Sequence, residues 1–342
     1  MAPITNRRVL FNEIPTGYPD PEKTVAYDES QVIDVDGLPL EKGAFILKTL
    51  VLSIDPYLRG RMRDASKESY SPAFRIGEPI SNFGVGVVVR SENPEVQVGD
   101  HLYGFYTFEE YIVRNDASSF KKIKGEVSWS AFVGVAGMPG KTAYYGYKEF
   151  YTPKKGDVAF VSGGAGPVGS FVAQLAKLDG LKVIASAGSD EKVNFLKEIG
   201  VDVAFNYKTT STKDVLTKEG PINLYWDNVG GETLEAAFEA AALNATFIEC
   251  GMISAYNGES YPVKNLFQII AKRLRIFGLL VGDLEEKYHE EFYHDVVPGL
   301  IGGGKIKYTE DIREGLHTTG QGIYDVQTGG NTAKLVIRVA KD

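Results

Sequence analysis

The chain reads as an α/β protein of two domains: a β-rich barrel or sandwich built from both chain ends, and a doubly wound parallel sheet inserted between them. Three observations predict this. Short apolar runs separated by Pro, Gly and Asp fill the chain up to Trp129; strand-like and helical runs then alternate; and from Lys307 the helical pattern fades into a last strand-like run, "AKLVIRV". At 342 residues the chain is also long for a single hydrophobic core. The expected boundaries are 1–128 with 307–342 for the β-rich domain and 129–306 for the insertion.

In the first domain the strands are expected at "RRVLF", "FILKTLVLSI", "FGVGVVVR" and "EEYIVR". In the second, "DVAFVS" precedes the helical "PVGSFVAQLAKL", "KVIASA" precedes "SDEKVNFLKEIG", and "VAFNY" precedes "TSTKDVLTKEG". "INLYWDNV" precedes "ETLEAAFEAAAL", and the strands "ATFIEC" and "LRIFGLLV" follow. Such βαβ repetition calls for a parallel sheet covered by helices on both faces. In the helix after Ser189, Val193, Leu196 and Ile199 form one apolar stripe, with Ser189 as N-cap and Gly200 as C-cap.

A net charge of −8 argues against nucleic acid or an anionic membrane as the main partner. The single cysteine, Cys250, makes no internal disulfide and excludes a Cys-based zinc cluster. The one long uncharged stretch, Val158 to Ala176, is interrupted by "SGGAGPVGS" and so is not a membrane span. With no apolar leader in "MAPITNRRVLFNEIPTG" and no peroxisomal ending in "RVAKD", a cytoplasmic location is expected. Of the four histidines, His101, His289, His294 and His317, two lie in "HEEFYH" at spacing i, i+5. That spacing places them about 140° apart on a helix, the wrong geometry for a shared metal, so no metal is expected.

Chemistry is carried first by "VSGGAGPVGS". Gly164, Gly166 and Gly169 form G-x-G-x-x-G between an apolar strand and an amphipathic helix. Glycines there make the tight turn and let the backbone approach a pyrophosphate, whose charge rests on N–H groups at the helix N-terminus. Pro167 suits the first helical turn, where no N–H is required. At the end of the second strand, Ala187, Gly188 and Ser189 leave room for a further phosphate, with Lys192 as counter-charge and the Tyr207 hydroxyl beside it. Asp190 and Glu191 keep open the alternative that a carboxylate binds an unphosphorylated ribose, as in an NAD site.

With no serine elbow and no metal cluster, hydride transfer from a nicotinamide is the chemistry left. Groups for it are expected on loops at the carboxyl ends of the strands: "DNVGGE" with Asn228, "CGMISAYN" with Ser254 and Tyr256, and "LLVGD".

Together "SIDPYLRGRM", "GMPGKTAYYG", "GAGPVGS", "AGSDEKV", "FNYK", "DNVGGE", "CGMISAYN" and "GGNTAKLV" resemble the zinc-free medium-chain dehydrogenase/reductase superfamily. They are most similar to its branch of leukotriene and prostaglandin reductases and plant alkenal double-bond reductases. The resemblance implies a GroES-like β-barrel with a Rossmann domain, NADPH/NADP+ as cofactor, and a homodimer. It makes Gly166, Pro167, Val168 and Gly169 the pyrophosphate loop and puts Lys192 and Tyr207 on the 2′-phosphate. It also implies that Asn228, the segment Cys250–Gly251–Ser254–Tyr256, Leu279 to Val281, and Asn331 line the rest of the cofactor, while Tyr57 and Tyr256 face the substrate.

The family commonly has G-x-N-x-G-K near the C-terminus; here Ala333 precedes Lys334, and "HTTGQGIYDVQTGG" is poor in helical pattern. Where zinc-dependent relatives offer a metal-binding Cys, this chain has Ser53, Ile54 and Asp55, then Pro56 to fix the turn. Arg59 and Arg61 read as structural, pairing with acids or covering the cleft. The expected reaction is hydride delivery to the β-carbon of an enal or enone, the enolate being held by Tyr256, with Tyr57 and the cofactor ribose hydroxyl as alternatives or helpers. A quinone reductase and a non-catalytic NADPH-binding protein are the competing readings.

Overall fold

A computed structural model describes residues 3–342. The chain divides into two units, one holding everything up to Gly134 together with Glu310–Asp342, the other Val135–Thr309.

The first unit is organised by β1 (Phe45–Ser53), β2 (Ser81–Ser91), β3 (His101–Thr107), β4 (Tyr111–Arg114) and β5 (Lys121–Ile123). β1 pairs antiparallel with β2 and with β4, β2 with β3, and β3 with β5. Every residue of β1 except Lys48 is buried, because the strand is covered on both faces. Phe45, Leu47 and Leu52 join Phe11, Tyr106, Phe108 and Leu335 in one apolar cluster.

In the second unit, β6 (Val158–Val161), β7 (Lys182–Ala187), β8 (Val203–Asn206), β9 (Ile222–Asp227), β10 (Ala241–Glu249) and β11 (Arg275–Gly278) form a six-stranded parallel sheet, in the order β8-β7-β6-β9-β10-β11. Helices α1 (Met138–Phe150), α2 (Pro167–Leu178), α3 (Asp190–Glu198), α4 (Thr212–Glu219), α5 (Gly231–Ala240), α6 (Phe267–Ala271) and α7 (Glu285–Glu291) accompany it. Strand order reverses between β6 and β9, so the crevice of the sheet opens outside their carboxyl ends. The chain then returns to the first unit through β12 (Glu310–Glu314), α8 (Thr319–Thr328) and β13 (Lys334–Arg338), which pairs antiparallel with the end of β1.

The α/β class and the doubly wound sheet expected from the sequence are present, with local corrections. Ala241–Leu243, expected to extend a helix, begin β10 instead, since Ala241 joins the parallel ladder opposite Ile222. Pairing overrides alanine's helical propensity. The segment from Lys307, expected to lose its helices, contains α8. Its glycines hid it: a Cβ on Gly320 would lie 2.0 Å from the Pro21 carbonyl oxygen, so the helix packs where only glycine fits. Ser189 caps α3 as expected, whereas Gly200, at φ +90°, stands one residue beyond the C-cap Ile199. Among the described residues, no helix is long and apolar enough to cross a membrane.

Candidate active site

At the carboxyl end of β6 the chain turns through Ser162–Gly166 into α2. The turn is tight: Gly164 N–H donates to Ser186 O at 2.8 Å and Gly166 N–H to Gly163 O at 3.1 Å. A Cβ on Gly169 would stand 2.5 Å from Gly163 O, and one on Gly164 2.8 Å from the Ala185 Cβ. Pro167 opens α2 with no N–H to waste, leaving the first-turn N–H groups of Val168 and Gly169 without intrahelical acceptors. The helix start therefore offers backbone donors with no side chain on Gly164, Gly166 or Gly169, and it fits a pyrophosphate.

Around the end of β7, the Tyr207 ring packs on Gly188; a Cβ there would meet the Tyr207 hydroxyl at 3.1 Å. Ser189 Oγ accepts from Lys192 N–H at 3.3 Å, fixing the turn in which Lys192 sits. Gly188, Lys192 and Tyr207 are thus gathered at one strand end. Of the two candidate ribose carboxylates, Asp190 and Glu191, Asp190 accepts from Asn206 Nδ2 at 2.9 Å.

The loops after β9 and β10 are braced to each other and to β6. Asn228 Nδ2 donates to Ser162 O at 2.7 Å, and its Oδ1 accepts from Trp226 Nε1 at 3.3 Å. Ser254 Oγ donates to Val229 O at 2.6 Å, while Cys250 and Gly251 N–H both donate to Asp227 O, at 2.9 and 3.0 Å. The side chains of Asn228 and Ser254 therefore hold the loops in place. Burial pushes the Cys250 thiol up to about 12, so it is no nucleophile at neutral pH. Tyr256 caps the short turn Ile253–Ala255, and its hydroxyl lies 3.2 Å from a Cβ built on Gly251. The Leu279 side chain turns inward against Gly146 of α1, and Val281 opens a further short turn.

In the first unit, β1 ends at Ser53 and the chain enters a buried polar network. Lys334 Nζ donates to Asp55 Oδ1 at 2.7 Å and to Ile54 O at 2.6 Å; Asn82 Nδ2 donates to Asp55 Oδ2 at 2.9 Å and to Ser53 O at 2.8 Å. Ser53 Oγ donates to Asp55 Oδ2 as well. The Tyr57 hydroxyl donates to Asn82 Oδ1 at 2.5 Å, so its proton is already committed. Burial first, and the charge of Asp55 second, push this phenol well above the usual tyrosine range.

Asn331 Nδ2 donates to Ala333 O at 2.7 Å. Arg59 donates to the carbonyls of Pro15 and Gly17. Arg61, expected to pair with an acid or to cover the cleft, is held by the Pro72 and Ser81 carbonyls, the Ser81 hydroxyl and the Phe74 ring. The buried guanidinium is thus held by two carbonyls, a hydroxyl and a ring face, with no carboxylate among these partners. The sequence reading missed Asn82, Asp227, Glu249 and Lys334. Their signal was a polar residue inside or at the end of an apolar strand.

Among the described residues, no group of three or more His, Cys, Asp or Glu is placed to hold a metal. His289 and His294 each pair with a glutamate of the preceding helical turn, Glu285 at 2.6 Å and Glu290 at 2.9 Å.

Two family models match the chain: "N-terminal domain of oxidoreductase" over residues 7–123 and "Zinc-binding dehydrogenase" over residues 167–297. The NADP(+)-dependent 2-alkenal reductase of Nicotiana tabacum is 38% identical, covering 99% of each chain. The (+)-pulegone reductase of Mentha piperita is 39% identical over 88% of this chain and 89% of its own. Among solved structures, CurA from Vibrio vulnificus in complex with NADPH superposes with a TM-score of 0.89 at 31% identity, covering 98% of this chain and all of its own.

Proposed function

The chain belongs to the zinc-free medium-chain dehydrogenase/reductase superfamily, in its alkenal double-bond reductase branch, and on that premise we propose that it reduces the carbon–carbon double bond of α,β-unsaturated aldehydes and ketones with NADPH. The observation that carries this reading is the Tyr256 phenol set against Gly251, on the loop that follows β10 at the carboxyl edge of the nucleotide-binding sheet.

Bound NADPH supplies the hydride that the β-carbon accepts. Negative charge then gathers on the carbonyl oxygen as an enolate. A phenol O–H aimed at that oxygen binds the transition state better than the ground state, an effect of about 3 kcal/mol per donor. Tyr256 is assigned this role. Tyr57 is assigned a positioning part, because its proton goes to Asn82 and its hydroxyl also interacts with the Arg61 guanidinium. The pyrophosphate is assigned to the backbone of Gly164, Gly166, Val168 and Gly169, and the 2′-phosphate to Lys192 and Tyr207. Asn228, Cys250, Ser254, Leu279, Val281 and Asn331 serve the cofactor by fixing loops rather than as charged ligands.

We also assign a homodimer, joined along the free edge at β11. Ile276 of that edge strand and Leu280 just after it are exposed, and α6, which precedes the strand in sequence, carries Phe267 and Ile270, each 72% exposed. A lone cysteine fits a cytoplasmic location.

The test is NADPH oxidation followed with an enal, an enone, a quinone and no substrate, with product identification. A saturated aldehyde or ketone is expected. Quinone reduction with no saturated carbonyl product would reject the reading.

A further inference from the structure

Asp227 closes β9, Glu249 closes β10, and the two are direct neighbours in the parallel ladder. Asp227 Oδ1 is saturated. It accepts from Tyr225 Oη at 2.7 Å, from the N–H groups of Val229 and Gly230 at 2.8 Å each, and from Ser162 Oγ at 3.0 Å. Asp227 Oδ2 and both Glu249 oxygens, by contrast, are buried without a hydrogen-bond donor. Three orphan carboxyl oxygens side by side are costly, and two adjacent buried carboxylates repel. One proton between the two carboxyls removes the repulsion and leaves a single Glu249 oxygen, that of a neutral acid, without a donor.

We propose that Glu249 is held as a neutral carboxylic acid whose proton, given to Asp227 Oδ2, fastens the loop after β9 to the loop after β10, making Glu249 a positioning residue of the cofactor site. Asp227 is already the hub of both loops, through Val229 and Gly230 on one and through Cys250 and Gly251, bonded to its carbonyl, on the other. Glu249 closes the arrangement with the donor that Asp227 Oδ2 lacks.

The surroundings support a retained proton. From β9, Asp227 and Tyr225 face Glu249, and the Cys250 thiol follows it in sequence. On β11 its ladder partner is Gly278, while Arg275, at the other end of that strand, donates to Asn244 O. The charged residues of α1 are paired elsewhere: Lys141 with Glu285, Lys148 with Glu291 and Glu149 with Lys287. Burial first, and Asp227 second, push Glu249 from 4.5 up to about 9. Below the unfolded value both states carry the proton. Between 4.5 and about 9 only the folded chain keeps it, so stability falls as pH rises across that window and levels off above it.

The test is the thermal midpoint of cofactor-free wild type and Glu249→Gln across that window. Glutamine donates to Asp227 as the acid does and has no proton to lose. The variant is expected to be the more stable, by a margin that widens with pH. NADPH affinity, read by fluorescence, is expected to weaken above about pH 9 in wild type and to hold in the variant. A margin that does not change with pH, or the same alkaline weakening in both proteins, would overturn the proposal. Should the variant fail to fold, infrared spectroscopy of wild type decides. A buried carboxylic-acid band vanishing near pH 9 supports the proposal, and its absence refutes it. None of these readouts involves the enone, so they fail or succeed independently of the substrate assignment.

Discussion

Asp55 and Asp227 stand at comparable places in the two units. Each is buried where a core strand hands over to a loop to which the proposed function gives a role, but their charges are met in different ways. Asp55 is answered by a buried cation, Lys334, with Asn82 and Ser53 filling its remaining lone pairs. Asp227 is answered only by neutral donors and a second acid. The first arrangement desolvates two charges and depends on both partners being present. The second spreads one charge over amides and hydroxyls and borrows a proton, so it depends on pH. The barrel's strand end is therefore sensitive to mutation, and the nucleotide-binding strand ends to alkali.

The sharpest way to break this comparison is Lys334→Met. Removing the cation leaves Asp55 charged and buried, a loss of about 3–5 kcal/mol in urea unfolding. The double variant Asp55→Leu with Lys334→Met should recover much of that loss, because no uncompensated charge remains. If the single variant costs under about 1 kcal/mol, the ion pair is not what holds this strand end.

The next two predictions concern the tyrosines and the phosphate. Tyr256→Phe should lower kcat by roughly a hundredfold with little change in NADPH affinity, as expected for a donor used only in the transition state. Tyr57→Phe should cost less than about tenfold, because its O–H serves Asn82 rather than the reacting oxygen. Steady-state kinetics on both variants decides, and the reverse ranking would exchange their roles. Lys192→Ala should weaken NADPH by roughly tenfold to a hundredfold while leaving NADH nearly unchanged, since the proposed function gives that ammonium the 2′-phosphate, which NADH lacks. Equal losses, measured by fluorescence titration, would move the phosphate site elsewhere.

The same contrast explains what could be read in advance. The parallel sheet and its glycine loop were legible because their signals are local: apolar runs of strand length, helical stripes, and G-x-G-x-x-G at one strand end. Ser189 and Gly200 marked the ends of α3 for the same reason. The network at Tyr57 was not legible. It joins residues 53–57, 82 and 334, which meet only because β1 pairs with both β2 and β13. Helix α8 was hidden by Gly320 and Gly322, which local propensity reads as breakers and close packing reads as room for Pro21 and Leu335.

Ala333 offers the smallest and most local prediction, and it bears on the barrel side of the comparison. It stands where the family pattern carries glycine, and it adopts φ +62°, in the left-handed region. The Asn331 amide clamps its carbonyl, and Lys334 must emerge from the turn aimed at Asp55, so the backbone has no freedom to relax. An L-residue pays about 1 kcal/mol or more for that conformation, which glycine adopts freely. Ala333→Gly also loosens the unfolded chain, which returns part of the gain. The net expectation is a stabilisation of about 0.5–1 kcal/mol in urea unfolding, with the Lys334–Asp55 pair unchanged. A loss of stability would mean that the alanine methyl, itself buried, contributes more by packing than it costs in strain.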